Sequence, residues 1–182
     1  MIVWILVGIA VLLILIFFGY YNRFTVLSNR IENSLGQIDV QLKRRADLIP
    51  NLVESVKGFA KHESSAIKAV TEARKLLVGA KGIEDKIQAN NKLEGALGKL
   101  FAIAEAYPDL KANTNFLELQ RELTATEDRV AYSRQFYNDS ILSYNNKCKT
   151  IPGKNFASMY GFKEKEYLKI AESERKAVKV SF

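Results

Sequence analysis

Charge is missing from the start of this chain. The stretch MIVWILVGIAVLLILIFFGYYN, residues 1 to 22, contains no Asp, Glu, Lys or Arg, and the first charged side chain is Arg23. Cysteine is nearly absent as well. Cys148 stands alone, which excludes an intrachain disulfide framework. His62 is the only histidine, and no second histidine follows His62-Glu63 four residues later, so the helical zinc motif is excluded. Gly79 and Gly82 are not followed by Lys-Ser or Lys-Thr, and Gly153-Lys154 stands by itself, so no phosphate-cradling loop is indicated. Paired carboxylates occur on any charged helix and carry no specific acid–base signal. The sequence therefore offers no catalytic, cofactor-binding or metal-binding residue, and the expectation is a protein that is not an enzyme. Proline is scarce too: Pro50, Pro108 and Pro152 punctuate long stretches free of helix breakers.

What is present is, first, an apolar run. Ile2 to Phe18 is unbroken, and with Gly19, Tyr20 and Tyr21 it would span about 26–32 Å as a helix, close to the ~30 Å hydrocarbon core. Fourteen of its residues are Leu, Ile, Val or Phe, which together favour insertion by roughly 4 to 8 kcal/mol. Trp4 and the Tyr20–Tyr21 pair suit the two interfacial aromatic belts. A cleaved signal peptide would need a basic n-region and small residues at the cut, and neither is seen. A lipoprotein anchor would need a cysteine just after the core. A soluble domain of this size could hardly wrap a helix that is apolar all round. The expectation is a permanent single-pass anchor over 1–22. Arg23, Arg30, Lys43, Arg44 and Arg45 all follow it, which by the positive-inside rule puts residues 23 to 182 in the cytoplasm.

After the anchor roughly 160 residues remain, enough for one domain. Lys and Arg number 27 against 20 Asp and Glu, a net +7, but the two signs are interleaved. Only Lys43-Arg44-Arg45 is a tight basic cluster, so a nucleic-acid groove is not expected. A mild basic excess beside a bilayer suits attraction to anionic headgroups.

The extramembrane pattern is helical. Ile31, Leu35, Ile38, Leu42, Ala46 and Ile49 step by three and four, a near-heptad stripe of coiled-coil type in which Arg45 occupies an apolar place. Pro50 predicts a kink or break near Ile49, followed by a second helix over 51–79. Gly79-Ala80-Lys81-Gly82 ends it. A third helix covers 84–106 up to Tyr107-Pro108. The longest runs from about 114 to 148, with Phe116, Leu119, Leu123, Thr126, Val130, Ser133, Tyr137, Ile141 and Tyr144 on one face. After Ile151-Pro152-Gly153 a short helix is expected over about 163–177. The fold class is therefore all-α, an N-terminal transmembrane helix followed by an antiparallel bundle of three to four long helices. The domain division is 1–22 anchor, 23–162 bundle, and 163–182 short helix and tail. Polar members of the stripes, such as Thr126, Ser133 and Tyr144, are either satisfied inside the bundle or face another copy of the chain. Confinement to a membrane raises the effective concentration of copies, so a homo-oligomer is expected.

Three blocks of residues carry a family likeness. The segment from Gln37 to Glu54, QIDVQLKRRADLIPNLVE, closely resembles the signature of the LemA family. So do Glu105 to Asn113, EAYPDLKAN, with Phe116, and Thr126-Glu127 with Arg134, Tyr137 and Asn138. The resemblance covers the chain from the anchor to about residue 162. It implies a bacterial single-span membrane protein with a long-helix bundle and no established enzymatic activity. A relative in the family takes part in magnetosome formation. Some family members start with a lipoprotein-type cysteine, which implies an exported domain and leaves the exported side open beside the cytoplasmic reading.

The signature also reads physically. Arg offers a planar fork of donors suited to carboxylates. Arg45 is expected inside the bundle, paired with Glu122, Glu127 or Asp128 of the long helix, where the pair would set register more than stability. Solvated surface charge is the competing reading. Asp39, Arg45, Asp47, Pro50, Glu127, Arg134, Tyr137 and Asn138 are the structural or interaction candidates. The function expected is a membrane-anchored scaffold or adaptor in the inner membrane, which contacts the lipid bilayer, its own copies and unidentified membrane or cytoplasmic proteins. The alternative is an enzymatic or small-ligand module in a helical pocket.

Overall fold

The computed structural model describes residues 1–60 and 62–168. It is 86% helical and has no strand among those residues. The helices are α1 (Ile2–Phe59), α2 (Ser64–Gly79), α3 (Ile83–Ala104), α4 (Pro108–Lys111), α5 (Thr114–Lys149) and α6 (Gly153–Tyr160). The chain forms two compact units. One comprises Met1–Ser34 and the chain from Gln135; the other is Leu35–Arg134. A long apolar N-terminal helix is thus followed by a helical bundle.

The helical stripes lie inward. On α1, Ile31, Ile38, Leu42, Ala46, Ile49, Leu52 and Val56 are buried. On α5, Leu123, Val130, Tyr137 and Tyr144 repeat every seven residues, with the small Thr126, Ser133 and Ser140 between them, all buried. The small polar members are met at home. Thr126 Oγ1 donates to Leu123 O at 2.7 Å, and Ser140 Oγ to Phe136 O at 2.7 Å. Ser34 donates to Arg30 O at 2.6 Å and lies 3.3 Å from Ser140 Oγ. Ser34, not Leu35, is the buried residue at that step. The polar residues are therefore part of the chain's own core, and contact with another copy has to use other faces.

Pro50 does not break α1, contrary to the expectation from sequence. Its missing N–H leaves the carbonyl of Ala46 without its helical donor. Arg74 of α2 supplies one instead: Nε donates to Ala46 O at 2.8 Å. The break falls after Phe59. His62 and Glu63, which precede α2, have no apolar side chain to hold a helix against a core. α2 begins afresh and buries Ala66, Val70, Ala73 and Leu77. It packs along α3 through the turn at Ala80–Gly82.

The C-terminal helix also lies elsewhere than expected. It forms at Gly153–Tyr160, not from 163, and stops at Gly161, whose φ of 74° is left-handed. Phe162 N–H closes it on Ala157 O at 2.9 Å. Residues 162–168 are not helical, and the rest of the expected 163–177 helix lies outside the described residues. Gly153 is buried because a Cβ there would overlap the backbone carbonyl of Lys147.

Candidate functional site

In the second unit one cation of the signature is buried. Arg45, on the buried stripe of α1, is 2% exposed. Its Nη1 donates to Asn90 Oδ1 of α3 at 3.1 Å, and its Nη2 to Glu127 Oε2 of α5 at 3.3 Å. Glu127 is one of the three acids the helical pattern offered; its side chain is 44% exposed. Burial pulls the guanidinium below its ordinary value, against the opposing pull of Glu127 and Glu94. Desolvation is thus the largest influence on this group. Gln41 Oε1, Arg45 Nε and Asn91 Oδ1 are buried without a hydrogen-bond partner among the described residues, which adds to the cost of the layer.

Charges nearer the surface frame this layer. Arg44 Nη2 pairs with Glu122 Oε2 at 2.9 Å, both half-exposed. Lys86 of α3 reaches Asp39 of α1 at 2.8 Å. Asp39, Asp47, Arg74 and Lys86 line a cavity of about 280 Å³ with Leu42, Ala46, Leu77 and Val78. A broader, open groove of about 510 Å³ follows Lys75, Leu76, Lys81, Asp85 and Lys92 beside the α2–α3 turn. Asp47 and Pro50 are exposed and Arg134 is half-buried.

Tyr137 and Asn138 belong to the other unit and do different work. Tyr137 is core, and burial raises its hydroxyl pKa. Asn138 clasps the non-helical strap 162–168: its Nδ2 donates to Leu168 O at 3.3 Å, and its Oδ1 accepts from Leu168 N at 3.0 Å. Two turns on, Asn145 repeats the clasp on Lys165, with both bonds at 2.9 Å. The signature therefore does not converge on one site. Asn90, Arg74 and Asn145 are participants that sequence reasoning missed. Asn90 was visible in principle, because it sits in the Ile87–Leu93–Leu97 stripe where an apolar residue belongs.

Other chemistry-bearing groups are occupied or idle. Cys148 is buried beside Tyr144, and burial holds its thiol above the ordinary value, which makes it a poor nucleophile at neutral pH. His62 is exposed. Among the described residues no three His, Cys, Asp or Glu side chains are grouped as metal ligands.

With this geometry in view, the comparisons decide the family. The LemA family model matches residues 34–182. The chain belongs to the LemA family. Among its relatives, magnetosome protein MamQ of Magnetospirillum gryphiswaldense is 28% identical over 173 residues, covering 81% of this chain and 64% of the relative. Magnetosome protein MamQ 2 of Paramagnetospirillum magneticum is 26% identical with the same coverage. Protein LemA of Metamycoplasma hominis is 28% identical over 141 residues, 75% of this chain and 63% of the relative. The chain thus spans less than two thirds of the length of the curated relatives it matches. Relatives named for the magnetosome and the apolar helix together fit a membrane-associated protein.

Proposed function

We propose that this LemA family protein is a membrane-anchored, non-enzymatic scaffold that acts through contacts with other proteins and with its own copies. One observation carries the reading. The signature side chains whose bonds are described act on the chain itself: Arg45 on Glu127 and Asn90, Asp39 on Lys86, Asn138 on a strap. The LemA signature then specifies a body, and function falls to the surface of that body.

The anchor in this proposal is Ile2–Phe18, where every residue is exposed within the chain and the helix is long and apolar enough to cross a membrane. Basic residues following the span favour a cytoplasmic bundle. Self-association is assigned to exposed apolar side chains such as Leu76 and Val78, which are 52% and 63% exposed on α2.

Mass photometry of the full chain in mild detergent tests the scaffold. Defined multiples of 20.6 kDa are expected, lost on Leu76→Glu with helicity unchanged. Monomers at every concentration, in detergent and in lipid discs alike, would refute self-association. The side of the membrane is read by impermeant labelling of a cysteine introduced at exposed His62 in intact cells; native Cys148 is too buried to report.

A further inference from the structure

α6 lies against the end of the apolar run. Tyr160 Oη donates to the backbone carbonyl of Phe17 at 2.5 Å, and its ring packs edge-on against Phe17 at 5.0 Å. Phe156 stacks on Tyr20 at 4.5 Å, and Phe162 stacks on Phe24 at 5.0 Å. These rings occupy the level at which residues 2–18 leave the hydrocarbon, where amphipathic aromatics collect. Two large apolar side chains are exposed here: Ile151, in the turn before α6, at 82%, and Met159 at 64%. Between Asp139 and Glu164 the chain has four lysines, Lys147, Lys149, Lys154 and Lys163, and no acid. Lys149 is paired with Glu164, and Lys147 sits over the Tyr20 ring at 4.3 Å. Lys154 and Lys163 are exposed. Exposed apolar tips, an aromatic level and exposed lysines on and beside α6 match the leaflet boundary of an anionic bilayer.

We propose that α6 and its preceding turn form a second membrane contact, which seats Ile151 and Met159 at the headgroup–acyl boundary of an anionic leaflet and holds its phosphates with Lys154 and Lys163. The contact rests on the reading of Ile2–Phe18 as a bilayer anchor. It sets α6, which is stacked on α1 and clipped to α5 through Gly153, on the lipid surface.

Spin labels on the full-length protein in vesicles test it. In a Cys148→Ser background, single cysteines replace Leu12, Met159 or Gln135, the last being exposed on α5. Accessibility to oxygen and to a water-soluble nickel chelate gives the depth of each label. In phosphatidylcholine containing phosphatidylglycerol, the label at 12 is expected in hydrocarbon, that at 159 at the boundary, and that at 135 in water. Lys154→Gln or Lys163→Gln, both surface changes, each lower the equilibrium constant for seating about fivefold. A label at 159 as wet as that at 135, with 12 still in hydrocarbon, overturns the α6 contact and leaves the anchor standing. A wet label at 12 overturns the anchor itself. A label at 159 shielded from both reagents, and equally so in neutral detergent, would mean that a second copy covers α6, which also overturns the proposal.

Discussion

The two units fill their cores in opposite ways. Leu35–Arg134 hides a cation, with the Arg45 guanidinium bonded to Asn90 and Glu127 across α1, α3 and α5. The other unit hides rings, with Phe24 edge-on to Tyr144 and stacked on Phe162, and meets its polar demand by clasping a strap with Asn138 and Asn145. A buried charge is costly unless its partners are in place, so it rejects wrong helix registers sharply. Aromatic packing is broader and more tolerant, while the amide clasps tie a non-helical segment to a helix without desolvating a charge. One unit is thus centred on a paired cation and the other on rings and amide clasps.

Substitutions at Arg45 test this contrast hardest. Arg45→Glu places like charge against Glu127 and Glu94 and is expected to prevent folding. Arg45→Ala should cost about 3 kcal/mol, at the lower end of the range for breaking a buried pair because Glu127 is partly solvated. Arg45→Leu also breaks the pair but keeps most of the side-chain volume, and should cost roughly 1–2 kcal/mol less than Ala. Urea titration of the full chain in detergent, followed by helical circular dichroism, gives the order. Equal losses for Ala and Leu would show that loss of the charge, not of volume, governs the site.

The Pro50–Arg74 pair ranks next. Arg74→Leu should cost about 1–3 kcal/mol by leaving the Ala46 carbonyl without a donor. In a Pro50→Ala background residue 50 regains its N–H, and the same substitution should cost less than about 1 kcal/mol. Additive losses would mean that Arg74 serves α1 in some other way.

Below that come the clasps. Asn138→Ala or Asn145→Ala removes two bonds to the strap backbone. Hydrogen exchange at the Leu168 or Lys165 amide should then rise about fivefold, for a local loss of roughly 1 kcal/mol, while amides of α3 stay protected.

These three sites also show what the sequence could disclose. The stripes of α1 and α5 were legible because burial on one helical face forces a spacing of three and four, and Arg45 was conspicuous as a charge at an apolar step. Asn90 obeyed the same rule and could have been read. The unbroken passage through Pro50 could not, because the donor that permits it comes from another helix. The strap was hidden for a similar reason. Its charged sequence looks helical in isolation, but its backbone bonds go to Asn138 and Asn145 on α5, which only the folded chain brings near.

A last effect, confined to high pH, concerns Tyr144, buried in the aromatic unit. Loss of solvation, reinforced by Cys148, pushes its hydroxyl up to about 12. In the unfolded chain the group would titrate near its ordinary value of 10. Below pH 10 both states hold the proton and the group contributes no pH dependence. Between about pH 10 and 12 the unfolded chain releases it while the folded one keeps it, so stability falls as pH rises through that window. Tyr144→Phe keeps the ring against Phe24 and removes the titration. Its stability should track the native chain at pH 8 and fall less steeply above pH 10, as read by urea midpoints of the full chain across that range. Parallel curves for the two chains would show that Tyr144 is hydrated enough to titrate normally, and that the ring-filled unit is wetter than the one built around a cation.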